Sequence, residues 1–495
     1  MNFSSLLSQP VIPEPVTPNA LPEARALLKL LYDISGHYTL TGQHNYPNIR
    51  DRNTRFAAGY IGKTPAVFST DWGFAREGDT DSYLARPEIV EEAVQQHQKG
   101  SLITICWHAV PPTTNEPVTF RPQPGAEPDS LASIQGRLQE QQFRDVLTPG
   151  TVLYKHWCAQ VDSVASYLKK LQDAHVPVLW RPYHEMNGDW FWWGGRVGEY
   201  GTVTLYCQLF ERLVYHHKLT NLVWVWSVDR PNKPEMQFSN FYPGTNYLDI
   251  LSLDVYRNDF SMAYYDSLLN LSSGKPLVLA EVGNPPSPEI LRSQPNWGFY
   301  VVWAGMVRNT LKKQYRVIVN DPRVLSLGDL VYREISAPYR LACGLPPLPD
   351  PEKTPADFSG KWIINEEKSM LDNFGASHLP FKIETVQKEN EIIIKRTVLL
   401  EYADDRITTE KLTLDGKENK SAFMSSLQTT KAEFKPGGDT LFIQSKVTMQ
   451  RGDQSIETIT NENWTLQEKG TILSIQQYSS SFWGKRDITM VFDRE

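Results

Sequence analysis

The chain has 495 residues, 40% of them hydrophobic and 22% charged, with a formal net charge of −7. At roughly 150 residues per domain, that length predicts two or three domains with ample core. The balance is that of a globular protein; it shows no basic excess to draw a nucleic acid and no run of about 18 apolar residues to span a membrane.

Residues 1–20 carry neither a charged n-region nor an apolar stretch of about 7–15 residues. That leaves two settings, a cytoplasmic protein or a mature chain freed of its signal. Cys106, Cys158, Cys207 and Cys343 are too few and too scattered for a disulfide framework or a CxxC metal site. No metal-ligand cluster stands at a recognisable spacing, and no cofactor is implied.

Eight apolar runs follow in chain order. They are HYTLTGQ (37–43), AVFSTDW (66–72), SLITICWH (101–108), VPVLWRPYHE (176–185), NLVWVWSVD (221–229), DILSLDVY (249–256), PLVLAEVG (276–283) and GFYVVWAG (298–305). Their hydrophobicity is continuous rather than alternating, as parallel strands buried on both faces require. Amphipathic helices lie between them. One begins at Pro87 and stops at Gly100, with proline inside the start and glycine past the end. Another sets Trp157, Val161, Val164, Leu168 and Leu171 on one stripe. Eight strands with intervening helices predict an α/β fold of the (β/α)8 TIM-barrel type over residues 1–343. A doubly wound sheet is the alternative, but no Gly-rich phosphate loop follows the first strand.

Barrel chemistry sits at the C-terminal ends of strands. Those ends read His44, Asp71-Trp72, Trp107-His108, His184-Glu185, Ser227-Asp229, Asp254-Tyr256, Glu281 and Trp303. Two strand-end carboxyls facing one cavity can cleave a glycosidic bond, one protonating the leaving oxygen while the other attacks the anomeric carbon. Glu185 and Glu281 are the candidates. Trp190, Phe191, Trp192 and Trp193 offer a dry wall to raise a proton donor's pKa, and indole faces on which sugar rings could stack. The plain alternatives are a capping or ion-paired glutamate and tryptophans packed beneath loops. His184-Glu185 is no zinc motif, because Gly188 stands where HExxH needs its second histidine. Cys106 reads as a packing thiol, and His216-His217 as a solvated helix face.

The string RPYHEMNGDWFWWG, with the later DVY, LAEVGN and VVWA segments, resembles glycoside hydrolase family 26, best known for β-mannanases. The resemblance runs over about residues 22–335. It implies a retaining hydrolase of β-1,4-mannosidic bonds in mannan, glucomannan or galactomannan, with Glu185 as acid/base and Glu281 as nucleophile. It further implies substrate contacts from His108, His184, Trp190, Asp254, Tyr256 and Trp303, with Tyr256 hydrogen-bonded to Glu281 and Trp303 beneath the reacting sugar. Trp157 is either a further binding aromatic or plain packing. Ala304 departs from the family, since some of its mannanases carry there an arginine that grips a distal sugar. The partner expected is a β-mannan polymer or oligosaccharide, and the setting secreted or extracytoplasmic. A β-1,3-1,4-glucanase or xylanase of the same family, or a non-catalytic carbohydrate-binding barrel, is the alternative.

Residues 344–357, GLPPLPDPEKTPAD, hold five prolines and predict a stiff linker. Beyond it, residues 358–495 alternate apolar and polar positions between turns at Lys388-Glu389-Asn390, Asp415-Gly416 and Pro436-Gly437-Gly438. This predicts eight or more antiparallel strands in an all-β meander or barrel. FSGKWIINEEKS, at its start, resembles the Gly-x-Trp first strand of lipocalin-like domains. An accessory module is favoured over a ligand-binding cup.

Overall fold

The computed structural model describes residues 13–73, 86–125, 131–349, 355–372, 375–376, 378–400, 403–423, 426–435, 438–451, 454–481 and 484–495. Residues 1–12, part of the proline-rich segment (350–354) and the Pro436-Gly437 pair lie outside them. The chain divides into two units between Leu348 and Pro349.

All eight apolar runs of the first unit become parallel strands: β1 (Thr39–His44), β2 (Val67–Asp71), β3 (Leu102–Trp107), β4 (Val178–Pro182), β5 (Leu222–Asp229), β6 (Ile250–Val255), β7 (Leu277–Val282) and β8 (Trp297–Val302). They pair in sequence, and β8 and β2 both pair with β1, which closes the barrel. Every residue of these strands is buried, which explains their continuous hydrophobicity. A short strand, β9 (Val324–Leu325), adds to β1. Gly42 is required where β1 passes between β8 and β2, since a Cβ there would meet the Tyr300 carbonyl oxygen at 2.5 Å.

The helices are α1 (Pro22–Ile34), α2 (Arg52–Ile61), α3 (Arg86–Lys99), α4 (Glu140–Leu147), α5 (Val152–Asp173), α6 (Thr202–Glu211), α7 (Met262–Ser272), α8 (Pro288–Ser293), α9 (Lys312–Val319) and α10 (Leu330–Ala342). Gly100, past the end of α3, has φ +111°. The Thr151 hydroxyl accepts the Tyr154 amide and caps α5, whose stripe from Trp157 to Leu171 is buried. Leu40, Val67, Leu102, Leu179, Val223, Ile250, Val278 and Phe299, one from each strand, cluster with Leu27 and Leu31 of α1 and Tyr332 and Tyr339 of α10. The barrel is therefore filled by side chains and is not a pore. Among the described residues no helix is long and apolar enough to cross a membrane.

The second unit is a ten-stranded antiparallel sheet: β10 (Gly360–Ile364), β11 (Lys382–Lys388), β12 (Glu391–Val398), β13 (Arg406–Thr413), β14 (Asn419–Phe423), β15 (Ser426–Phe434), β16 (Thr440–Arg451), β17 (Gln454–Gln467), β18 (Ile472–Ser481) and β19 (Gly484–Arg494). Its order runs β13-β12-β11-β10-β19-β18-β17-β16-β15-β14, a meander whose first and last chain segments are neighbours. Trp362, Ile383, Ile394, Trp464 and Phe492 belong to its core. Within that sheet Arg396 pairs with Glu410 and Glu462, and Gln428 donates to Glu410 at 2.6 Å, linking β15 to β13.

Candidate active site

Glu185 lies beyond β4, not within it. The apolar run 176–185 reads as strand to its end, but the strand stops at Pro182, which has no N–H to continue the ladder. Tyr183 and Glu185 then adopt φ of +48° and +51°. Such a conformation costs a side chain of this kind about 1–3 kcal/mol and survives only where its surroundings impose it. Here they do. Asn187 donates to the carbonyls of Asp229 (2.7 Å) and Met236 (3.0 Å) and accepts the Asp229 amide (2.8 Å). The Gly188 amide returns to the Glu185 carbonyl at 2.9 Å. A Cβ on Gly188 would strike the Trp190 ring at 2.2 Å, so glycine lets that indole fold back over the turn. From there Trp190 Nε1 donates to Glu185 Oε2 at 2.6 Å.

Glu281, inside β7, is 3% exposed. Its Oε2 accepts the Tyr256 hydroxyl at 2.6 Å, and its Oε1 accepts Arg181 Nη2. Arg181 also donates to Asp254 at 3.0 Å and to the Ser227 hydroxyl at 3.2 Å. One carboxylate oxygen from each of Glu185, Asp254 and Glu281 lies within 4.8 Å of the others. Such a triad could ligate a divalent cation, but the Arg181 guanidinium already stands between Asp254 and Glu281 as the counter-charge.

The two glutamates sit in opposite environments. Glu281 accepts from a guanidinium and a phenol. Burial pushes the Glu185 carboxyl well above the usual range, and the nearby charges of Glu281, Asp254 and Asp229 push it further, against the Trp190 hydrogen bond. Burial, with the Glu281 charge, also raises the Tyr256 phenol, which therefore keeps its proton as a donor.

Around this pair the strand ends converge. His108, after β3, lies with its Nε2 3.1 Å from His184 Nε2, and His184 Nε2 is 3.8 Å from Glu281 Oε1. Burial lowers the pKa of His184 well below the ordinary value, helped by His108, Arg181 and His44. Trp303, after β8, is half-buried and stacks on His44 with centroids 3.7 Å apart and planes at 11°. A cavity of about 490 Å³ opens beside Tyr256, lined also by Arg230, Arg257, Asn284 and Met306.

Glu185, Glu281, His108, His184, Trp190, Asp254, Tyr256 and Trp303 thus meet at one end of the barrel. Phe191, Trp192 and Trp193 do not serve there as open stacking faces. They are buried at 4%, 1% and 0% exposure, and Trp193 donates to the His184 carbonyl, so they support the turn from beneath. Trp157 is also packing, 1% exposed and bonded to the Tyr183 hydroxyl. Cys106 is buried, as expected of a packing thiol. His217 is not merely solvated, since it shares Asp162 with Arg212.

Arg181 is the residue that sequence reading missed. Its signal was present: an arginine inside an apolar strand must find carboxylate partners when buried. Asn187, the clamp of the Glu185 turn, gave no comparable sign.

A closed (β/α)8 barrel with one glutamate following β4 and another near the end of β7 has the architecture of a glycoside hydrolase. The chain belongs to glycosyl hydrolase family 26, whose profile matches residues 16–328. It is 32% identical over 323 residues to a mannan endo-1,4-beta-mannosidase of Thermothelomyces thermophilus, covering 62% of this chain and 59% of that protein. It is 33% identical over 210 residues to the Bacillus subtilis mannan endo-1,4-beta-mannosidase, covering 38% and 56%. The chain thus spans a little over half the length of these curated relatives. Among solved structures, GH26A from a Muricauda species aligns with a TM-score of 0.58 at 37% identity, over 63% of this chain and 99% of that one. The Podospora anserina GH26-CBM35 beta-(1,4)-mannanase aligns with a TM-score of 0.55 at 29% identity, over 66% and 70%.

Proposed function

We propose that this chain is a retaining endo-β-1,4-mannanase, with Glu281 as nucleophile and Glu185 as acid/base. The observation that carries the reading is the contrast between the two carboxyls, which face each other within 4.8 Å in opposed environments. The Glu281 carboxylate attacks the anomeric carbon while the Glu185 carboxyl, its pKa raised by burial, gives its proton to the departing glycosidic oxygen. Glu185 then takes a proton from water, whose oxygen displaces Glu281 from the sugar. Oxygens of the two carboxyls come within 4.8 Å of each other, and retaining pairs are the more closely spaced, with about 5–5.5 Å between carboxyl groups against about 6.5–9.5 Å in inverting pairs.

Trp303 is the platform under the reacting ring, and Trp190 flanks the leaving group while holding Glu185. Asp254 and Tyr256 hold the nucleophile side, and His108 and His184 border the same ring. Mannan as substrate rests on the names of the relatives. A polymer of that kind does not cross a membrane, so the setting is extracytoplasmic, and nucleic acid has no part in it. Residues 1–343 form the catalytic domain, 344–357 a linker and 358–495 an accessory domain. Chromatography of products from mannan, glucomannan, lichenan and xylan tests the reading. Manno-oligosaccharides of several lengths are expected early in the reaction, and faster release of products from lichenan or xylan would overturn the mannanase assignment.

A further inference from the structure

Asp71, the last residue of β2, takes no part in the scheme above, yet two of its bonds go to His108 in the cluster. Its Oδ1 accepts the backbone amides of Trp72 (2.7 Å) and His108 (3.2 Å). Its Oδ2 accepts from His108 Nδ1 at 2.6 Å. The carboxylate is 3% exposed and His108 is 5% exposed, so this contact is dry. A carboxylate only accepts, and the proton of His108 is therefore fixed on Nδ1.

That choice propagates. Nε2 of His108 faces Nε2 of His184 at 3.1 Å, and two nitrogens at that distance need one proton between them. If His108 supplied it, the proton of neutral His184 would sit on Nδ1. That atom is buried and has no hydrogen-bond partner among the described residues, and a buried donor left unpaired costs about 1–3 kcal/mol. If His184 supplies it, each ring carries one proton and each N–H has an acceptor. The protonated nitrogen of His184 is then the one 3.8 Å from Glu281 Oε1.

We propose that Asp71 is a positioning residue that sets the tautomers of His108 and His184, so that the His184 nitrogen nearest Glu281 carries a proton, its N–H directed at His108 Nε2. Asp71→Asn reverses the order. The amide oxygen keeps the two backbone amides, its NH2 donates to His108 Nδ1, and both imidazole protons move to the opposite nitrogens. The His184 nitrogen nearest Glu281 is then unprotonated, its lone pair taken by the His108 N–H. The same logic operates in the serine-protease triad, where Asp→Asn lowers kcat about 10⁴-fold through the wrong tautomer. Here the effect reaches the nucleophile through two rings and is smaller.

The consequence for turnover rests on the function proposed above; the proton positions do not. Neutron diffraction from the full-length, deuterium-exchanged protein should show deuterium on His108 Nδ1 and His184 Nε2, and none on His184 Nδ1. With mannohexaose, Asp71→Asn should lower kcat roughly 10- to 100-fold and leave KM within about two-fold. In a His184→Gln background the same substitution should cost less than about three-fold more, because a residue acting through His184 is not additive with its loss. Deuterium on His184 Nδ1, or an equal Asp71→Asn penalty in both backgrounds, overturns the proposal. If Asp71→Asn does not fold, the proton positions of the unsubstituted enzyme decide alone. If the unsubstituted enzyme cuts no β-mannan, the proposed function fails while the diffraction result still judges Asp71.

Discussion

The hydroxyl of Tyr256 lies 2.6 Å from Oε2 of Glu281, while the other oxygen of that carboxylate is taken by Arg181. Both oxygens of the proposed nucleophile are thus held by donors, one from β4 and one from the residue that follows β6. A hydrogen bond to a charged group contributes about 1.5–3 kcal/mol, so Tyr256→Phe should lower kcat by about 10- to 100-fold. Steady-state rates with mannohexaose check this, and an unchanged kcat would show that Arg181 suffices.

The two glutamates should separate by the substrate used. Glu281→Ala should lose activity on every glycoside. Glu185→Ala should still release an activated aryl group, which needs no proton, and then stall; azide should restore its turnover by replacing activated water as the second nucleophile. Identical behaviour of both variants toward an aryl mannoside with azide would refute the assigned roles.

Stability should report the unfavourable ionisation of Glu185. Burial and the charges of Glu281, Asp254 and Asp229 raise its pKa in the folded state, so the native protein binds this proton more tightly than the unfolded chain. Its contribution to stability is present below the unfolded carboxyl's pKa of about 4.3 and is lost as pH rises through the folded value. Glu185→Gln, which cannot ionise, should therefore raise Tm at pH 8 and leave it nearly unchanged at pH 4. Denaturation scans at both pH values test the sign; equal shifts at the two would mean that the carboxyl ionises as easily folded as unfolded.

Trp303 and Trp157 should respond oppositely. Trp303 is half-buried over the cluster, so Trp303→Ala should cut kcat/KM by more than ten-fold with little loss of stability; about 1.4 kcal/mol of stacking suffices for each factor of ten. Trp157→Phe leaves the buried Tyr183 hydroxyl without its indole donor, which should cost about 1–3 kcal/mol of folding stability with kcat/KM nearly intact. Paired kinetics and chemical denaturation distinguish them, and a larger kinetic effect at Trp157 would return it to the substrate.

The barrel was legible in the chain because burial on both faces leaves a local trace. Leu102–Trp107 and Leu277–Val282 have no polar face to alternate with, and a strand that cannot face water writes that fact into consecutive residues. Polar groups ending such runs, as at Asp71, Glu185 and Glu281, were visible for the same reason. The β4 end was read too long, because Pro182 stops the ladder while the residues after it stay buried. Nothing local told Trp190, free to bond Glu185 once Gly188 makes room, from Trp193, sealed beneath it. Nor could spacing show that Arg181, 73 residues before Asp254 and 100 before Glu281, would bridge the two. Hydrophobic pattern follows from each segment's own exposure to water. Proton positions, ion-pair partners and which indole meets a sugar depend on distances between strands remote in sequence, and only the closed barrel sets those.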